Sequence, residues 1–156
     1  MDAQYSRSFV AGITDVFKTM CDIDLIHWDP CGKDDRKTTA EVTGVIGFTG
    51  DKKGVMSFGT SASGALIIYA RLVHEEYDRI TEEIVDAVGE ITNIISGQAR
   101  KELEKESLHL MAHVPMVFVG KGVEISYVTK GRIVSIPFSF CANGLTEEIS
   151  LAYVFE

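Results

Sequence analysis

The stretch Thr81-Glu82-Glu83-Ile84-Val85-Asp86-Ala87-Val88-Gly89-Glu90-Ile91-Thr92-Asn93-Ile94-Ile95-Ser96-Gly97-Gln98-Ala99-Arg100-Lys101-Glu102-Leu103 predicts a long helix around which the remaining elements must pack. Thr81 can cap free N–H groups, and Glu82 and Glu83 suit the positive end of a helix. At about 100° per residue, Ile84, Val85, Val88, Ile91, Thr92, Ile95, Ala99 and Leu103 fall on one broad apolar arc that should be buried. Opposite them lie Glu83, Asp86, Glu90, Asn93, Gly97 and Lys101. Glu90 and Asn93 are three residues apart and emerge side by side. Asn is a poor interior helix former, and Gly89 and Gly97 each cost about 1 kcal/mol relative to Ala in an exposed helix interior. Residues that weaken a helix on its outer side imply that something approaches that side closely.

The chain of 156 residues is long enough for a sizeable core and is expected to form a single domain over 1–156. Its hydrophobic fraction of 46% and charged fraction of 24% are those of a globular protein. A formal net charge of −8 disfavours nucleic acid or an anionic membrane as partner, since both reward Lys and Arg patches. The three cysteines, Cys21, Cys31 and Cys141, form no C-x-x-C pair, which predicts buried free thiols in a reducing compartment. Neither a signal peptide nor a membrane-length apolar run is visible, so a cytoplasmic location is expected.

Working outward, residues 5–20 carry Phe9, Val10, Ile13, Val16, Phe17 and Met20 at helical spacing. A short strand is expected within 22–28 and a polar loop over 29–35. Residues 38–49 and 55–61 read as strands joined by a hairpin loop at 50–54. Ser61-Ala62-Ser63 can cap a helix over 65–73 that is apolar nearly all round and therefore mostly buried. After the long helix, which ends near Glu106, strands are expected over 114–119, 123–129, 132–140 and 145–155. Turns lie at 120–122 and 130–131, and Asn143-Gly144 is the strongest hairpin signal in the chain. Helix then hairpin, followed by helix then strands, predicts an α+β fold with a largely antiparallel sheet.

Other chemistry finds little support. His109 and His113 have the i,i+4 spacing of a helical metal pair, but no third ligand accompanies them and Pro115 breaks the helix, so no metal site is expected. His27 and His74-Glu75-Glu76 are weaker still. Gly44, Gly47, Gly50, Gly54 and Gly59 are spread along strands, where glycine marks bulges or close backbone approach, not a phosphate loop. No G-x-S-x-G elbow or Cys–His–Asn set points to a covalent nucleophile. Glu90 and Asn93 remain, with Ala87 and Ile94 on the flank of their face. An amide can orient a water, and a carboxylate can pair with a partner's Lys or Arg. The pair looks like half of an active site, completed in trans.

The run Asp86-Ala87-Val88-Gly89-Glu90-Ile91-Thr92-Asn93-Ile94-Ile95-Ser96-Gly97 resembles the signature helix of the CheX branch of the CheC/CheX/FliY family of chemotaxis phosphatases. Phe17-Lys18-Thr19-Met20, Val42-Thr43-Gly44-Val45-Ile46-Gly47-Phe48-Thr49-Gly50 and Val119-Gly120-Lys121-Gly122 are similar to the same family. The segment 22–37 carries no such likeness. The resemblance implies a CheC-like α+β fold in which a largely antiparallel sheet packs with the signature helix and two further helices. It implies a hydrolase, a protein aspartyl-phosphate phosphatase, acting on a phosphorylated CheY-like response regulator in two-component signalling. Asn93 would then position the attacking water and Glu90 would pair with the regulator's active-site lysine. Asp86, Ile94 and Gly97, on or beside the same face, would contact the partner. The chain would need no cofactor of its own, because Mg²⁺ would be supplied by the phosphorylated response regulator. The first helix, with Thr14-Asp15-Val16-Phe17-Lys18, has no counterpart of the pair, so one active site per chain is expected. The resemblance also implies a homodimer joined through sheet edges. Two rival readings use the same helix: a non-catalytic module docking receiver domains or flagellar-switch proteins, and a structural dimer subunit with Glu90 and Asn93 merely solvated.

Overall fold

Residues 2–32, 40–123 and 125–156 are described by the computed structural model of the chain. Apolar periodicity forms the expected helices. A 3₁₀ turn over Asp2–Tyr5 leads into α1 (Ser6–Cys21), which buries Phe9, Ile13, Val16, Phe17 and Cys21. It stops where Asp22 takes the left-handed conformation and its N–H bonds Phe17 O. Ser61 caps α2 (Ala62–Val73) by accepting from Gly64 N at 3.0 Å. The long helix, α3 (Glu82–Glu104), starts at Thr81, whose Oγ1 accepts from Ile84 N at 3.4 Å.

The strands are β1 (Ile26–His27), β2 (Cys31–Gly32), β3 (Val42–Gly50), β4 (Gly54–Thr60), β5 (Leu110–Ala112), β6 (Met116–Val119), β7 (Val134–Ala142) and β8 (Leu145–Phe155). They make one sheet in the order β1-β7-β8-β4-β3-β5, with β2 also on β7 and β6 also on β3. Every pairing is antiparallel. The β7–β8 hairpin turns at Asn143 and Gly144, with φ of 54° and 75°, the two left-handed positions that an Asn-Gly turn provides. The two helix-then-hairpin halves meet where β4 pairs with β8.

Period-2 alternation sends Val42, Ile46, Phe48, Met56, Phe58, Ile136, Phe138, Phe140, Leu151, Tyr153 and Phe155 into one core with α1 and α3. Phe9 stacks on Tyr153 at 4.2 Å between centroids, and Tyr153 Oη shares a 2.9 Å hydrogen bond with Ser6 Oγ. The opposite strand positions are mixed: Thr43, Gly47, Ser57, Ser135 and Ser150 are small or polar, whereas Val45, Val55 and Val154 are apolar.

Several expectations are corrected. Val123 and residues 125–129 do not pair as a strand. Gly120 and Gly122, with φ of 147° and 69°, turn the chain out of the sheet, and Ile125, Tyr127 and Val128 instead line a groove of about 420 Å³ with Val45, Val55, Met116 and Phe118. The strand expected within 22–28 shrinks to β1, and the loop expected over 29–35 contains β2; residues 33–35 lie outside the described residues, as do 38 and 39 at the start of the expected first strand. β5 was not expected. Only Gly64, Ala65 and Ile68 of α2 are buried, because the helix meets α1, α3 and β8 along one side and leaves Leu66, Ile67 and Tyr69 half-covered. Cys141 is exposed on the outer side of β7, whereas Cys21 is buried, and burial pushes its thiol up to about 11.

Candidate functional site

Three close contacts set the rotation of α3 about its own axis. Gly44 on β3 lies against Thr92, so tightly that a Cβ at Gly44 would collide with Thr92 Oγ1. That hydroxyl donates back to Val88 O at 2.7 Å, which satisfies it inside the core. On the α1 side, a Cβ at Gly12 would fall 2.8 Å from Ala99 N. On the β6 side, a Cβ at Gly89 would stand 3.3 Å from Val117 Cγ2. Ile84, Val88, Ile91, Thr92, Ile95, Ser96, Ala99 and Leu103 are buried as a result. Val85, expected in the buried arc, is only half-buried, and Gly89, expected to serve a partner's approach, is buried inside this chain.

What remains outward is Asp86, Glu90 and Asn93, all exposed, with Ile94 and Gly97 half-buried beside them. Among the described residues, neither the Glu90 carboxylate nor the Asn93 amide makes a hydrogen bond or ion pair. Asn93 O accepts from Ser96 Oγ at 2.8 Å, which ties the backbone of the next turn without engaging the amide. A Cβ at Gly97 would meet nothing closer than Arg100 Nη2 at 3.9 Å, so the surface beyond Asn93 is open. Ile94 packs partly onto the core, so only a portion of it is available to a partner. At the helix start, hydrogen bonds from its own backbone N–H and from Thr81 hold the Glu83 carboxyl below the usual carboxylate range. Asp86, Glu90, Asn93 and Gly97 therefore share one face with Ile94 at its flank, and on it Glu90 and Asn93 are free, among the described residues, to act on something outside the chain.

The other candidates are engaged elsewhere. His109 and His113 flank β5 in extended chain and not along a helix. Asp51 Oδ2 accepts from His109 N at 2.8 Å and lies 3.3 Å from His109 Nδ1, which lowers the Asp51 carboxyl. Among the described residues no three His, Cys, Asp or Glu side chains converge as a metal site. No described helix is long and apolar enough to cross a membrane. Gly12 was overlooked as a positioning residue. Its signal was its place on the apolar stripe of α1 beside Phe9, Ile13 and Val16, where an interior glycine marks a close helix crossing.

A largely antiparallel sheet carrying three helices, with the long α3 laid across β3, defines a CheC-like α+β protein. Residues 42–139 match the family model described as Chemotaxis phosphatase CheX, and the chain belongs to that family. Among solved structures it is similar to the chemotaxis protein CheX of Desulfovibrio desulfuricans, with 32% identity, a TM-score of 0.89 and coverage of 98% of this chain and 99% of that one. Its fold is also that of the Borrelia burgdorferi CheX crystallised with CheY, BeF₃ and Mg²⁺, at 23% identity, a TM-score of 0.79 and 97% coverage of both chains. Among characterised relatives it is 24% identical to the CheY-P phosphatase CheX of Thermotoga maritima over 89% of each chain.

Proposed function

We propose that this chain accelerates hydrolysis of the aspartyl phosphate of a CheY-like response regulator, with Glu90 and Asn93 completing the regulator's active site in trans. The observation that carries this reading is the exposed, unpartnered Glu90–Asn93 pair on a helix whose rotation is set by Gly44, Gly12 and Gly89. The family membership and the phosphatase name of the Thermotoga relative support the same reading. The Borrelia structure, in which a CheX is bound to CheY, supports the partner.

Asn93 presents both a donor and an acceptor, so it can hold a water with one lone pair aimed at the phosphorus. Attack forms the new O–P bond as the P–O bond to the partner's aspartyl carboxylate breaks, leaving inorganic phosphate and a free aspartate. Phosphoryl transfer through a loose transition state needs orientation more than a strong base, which suits an amide. Glu90, one turn before Asn93, pairs with the partner's lysine and keeps the water in line. Mg²⁺ travels with the regulator and neutralises charge on the phosphoryl oxygens. Asp86, Ile94 and Gly97 border the contact. A homodimer through a sheet edge belongs to the same proposal; the edges are β1 with β2 on one side and β5 with β6 on the other.

The test is loss of phosphate from a phosphorylated receiver domain with wild type, Asn93→Ala and Glu90→Ala. The reading fails if wild type does not outpace spontaneous decay. Receiver binding that persists without turnover would select the non-catalytic docking module instead.

A further inference from the structure

Arg100 lies on the same outer stripe as Asn93. Seven residues further on, it sits within about 20° of Asn93 around the helix. Its guanidinium has no ion pair or hydrogen bond among the described residues, and its Nε is shielded from solvent without an acceptor. Helical side chains lean toward the N-terminus. Here that lean carries Nη2 to 3.9 Å from the position of a Cβ on Gly97, over the gap the glycine leaves. Gly97 in turn is one turn, about 6 Å along the axis, from Asn93. A half-buried guanidinium lacking acceptors is costly in the free protein, and a bound acid would remove that cost.

Along the stripe, Glu82, Glu83, Asp86 and Glu90 lie before Asn93, Arg100 and Lys101 follow it, and Glu104 stands one turn beyond Arg100 at the helix end. A partner's phosphorylation site that holds Mg²⁺ does so through carboxylates, so its rim is acidic on the metal side. A partner whose lysine faces Glu90 and whose metal-side carboxylates lie across the phosphoryl group from that lysine sets its acidic rim toward Arg100.

We infer that Arg100 is a docking residue that pairs with a carboxylate at the rim of the partner's phosphorylation site, an inference that rests on the phosphatase function proposed above. The pair sets the direction in which the partner lies along α3. Gly97 is small partly to let the guanidinium lie back into the contact. The planar fork matches a carboxylate in two hydrogen bonds, which an ammonium does not.

The experiment is steady-state hydrolysis of a phosphorylated receiver domain by wild type, Arg100→Gln, Arg100→Lys and Arg100→Glu, with Asn93→Ala alongside. Arg100→Gln is expected to raise KM about fivefold to tenfold with kcat within about twofold, and to flatten the fall of kcat/KM with added salt. Arg100→Glu raises KM further, and Arg100→Lys by about twofold to threefold. If the glutamine variant does not fold, the lysine variant carries the test, since it keeps the stem and the charge. Unchanged KM and salt response in the glutamine and glutamate variants overturn the inference. So does a loss of kcat at constant KM, which would place Arg100 on the phosphoryl group instead. Wild-type turnover abolished by Asn93→Ala but indifferent to Arg100 sinks this inference alone. Absence of wild-type turnover sinks the phosphatase function with it.

Discussion

Gly44 of β3 meets Thr92 of α3 with no room for a Cβ between them. Thr92 is one residue before Asn93, so this contact on the hidden side of the helix determines where the exposed amide points. The stabilities of the sheet and of the site are therefore coupled at one position.

Gly44→Ala is expected to destabilise the protein by about 1–3 kcal/mol, because the added methyl must push α3 off β3 or displace a buried hydroxyl. The same shift should lower phosphatase activity, since a misplacement of about 1 Å at a positioning group can cost a hundredfold. Urea unfolding and receiver dephosphorylation on one preparation check both effects. A variant as stable and active as wild type would show that the helix is not seated this way.

Asn93→Ala should separate activity from stability. Turnover is expected to fall by about a hundredfold or more, the scale seen when one oriented polar group is removed from a transition state. Stability should hold or rise by up to about 0.7 kcal/mol, because Ala is the better helix former and the Asn93 side chain makes no hydrogen bond to lose. Thermal unfolding and phosphate release provide the two readouts.

Gly97 and Gly89 should respond oppositely to one methyl group. Gly97→Ala enters open space and is expected to stabilise the helix by about 1 kcal/mol, whereas Gly89→Ala presses on Val117 Cγ2 and should gain less or destabilise. A bulky Gly97→Leu should stay folded yet raise KM for the phosphorylated receiver, because it fills the surface beside Asn93. Comparing urea midpoints of the two alanine variants, then kinetics of Gly97→Leu, tests the assignment.

Cys21 should give stability a pH dependence on the alkaline side. Burial favours the neutral thiol and raises it from 9.0 to about 11. Between those values the unfolded chain has released the proton and the folded chain has not, so stability is full below about pH 9 and declines as pH rises toward 11. Urea midpoints of Cys21→Ala should lose part of that decline. In the native protein a maleimide should modify exposed Cys141 well before buried Cys21.

Much of the architecture was legible because its causes are local. The apolar arcs of α1 and α3, the Ser61 and Thr81 caps and the Asn143-Gly144 turn act within a few residues, and the structure realises them except that Met20 is exposed and Val85 only half-buried. β8 spans the expected 145–155 without change. The failures involve partners distant in sequence. β2 and β5 are two and three residues long, and they are strands because β7 and β3 offer them hydrogen bonds. Residues 125–129 have strand composition, but left-handed glycines at 120 and 122 carry them away from any free edge.

The sequence by itself determined that a long amphipathic helix would bury one arc and present Asp86, Glu90, Asn93 and Gly97 on the other, because helical spacing alone sorts residues into faces. It placed Gly97 on that outer face and left open whether Gly89 makes the same concession to an approaching partner. Only the tertiary structure decided that Gly89 makes room for Val117 within the chain, while Gly97 opens outward beneath Arg100. The physical reason is that periodicity says which side of a helix a residue occupies, whereas the atom that comes closest to it depends on how β3, β6 and α1 are brought against that helix.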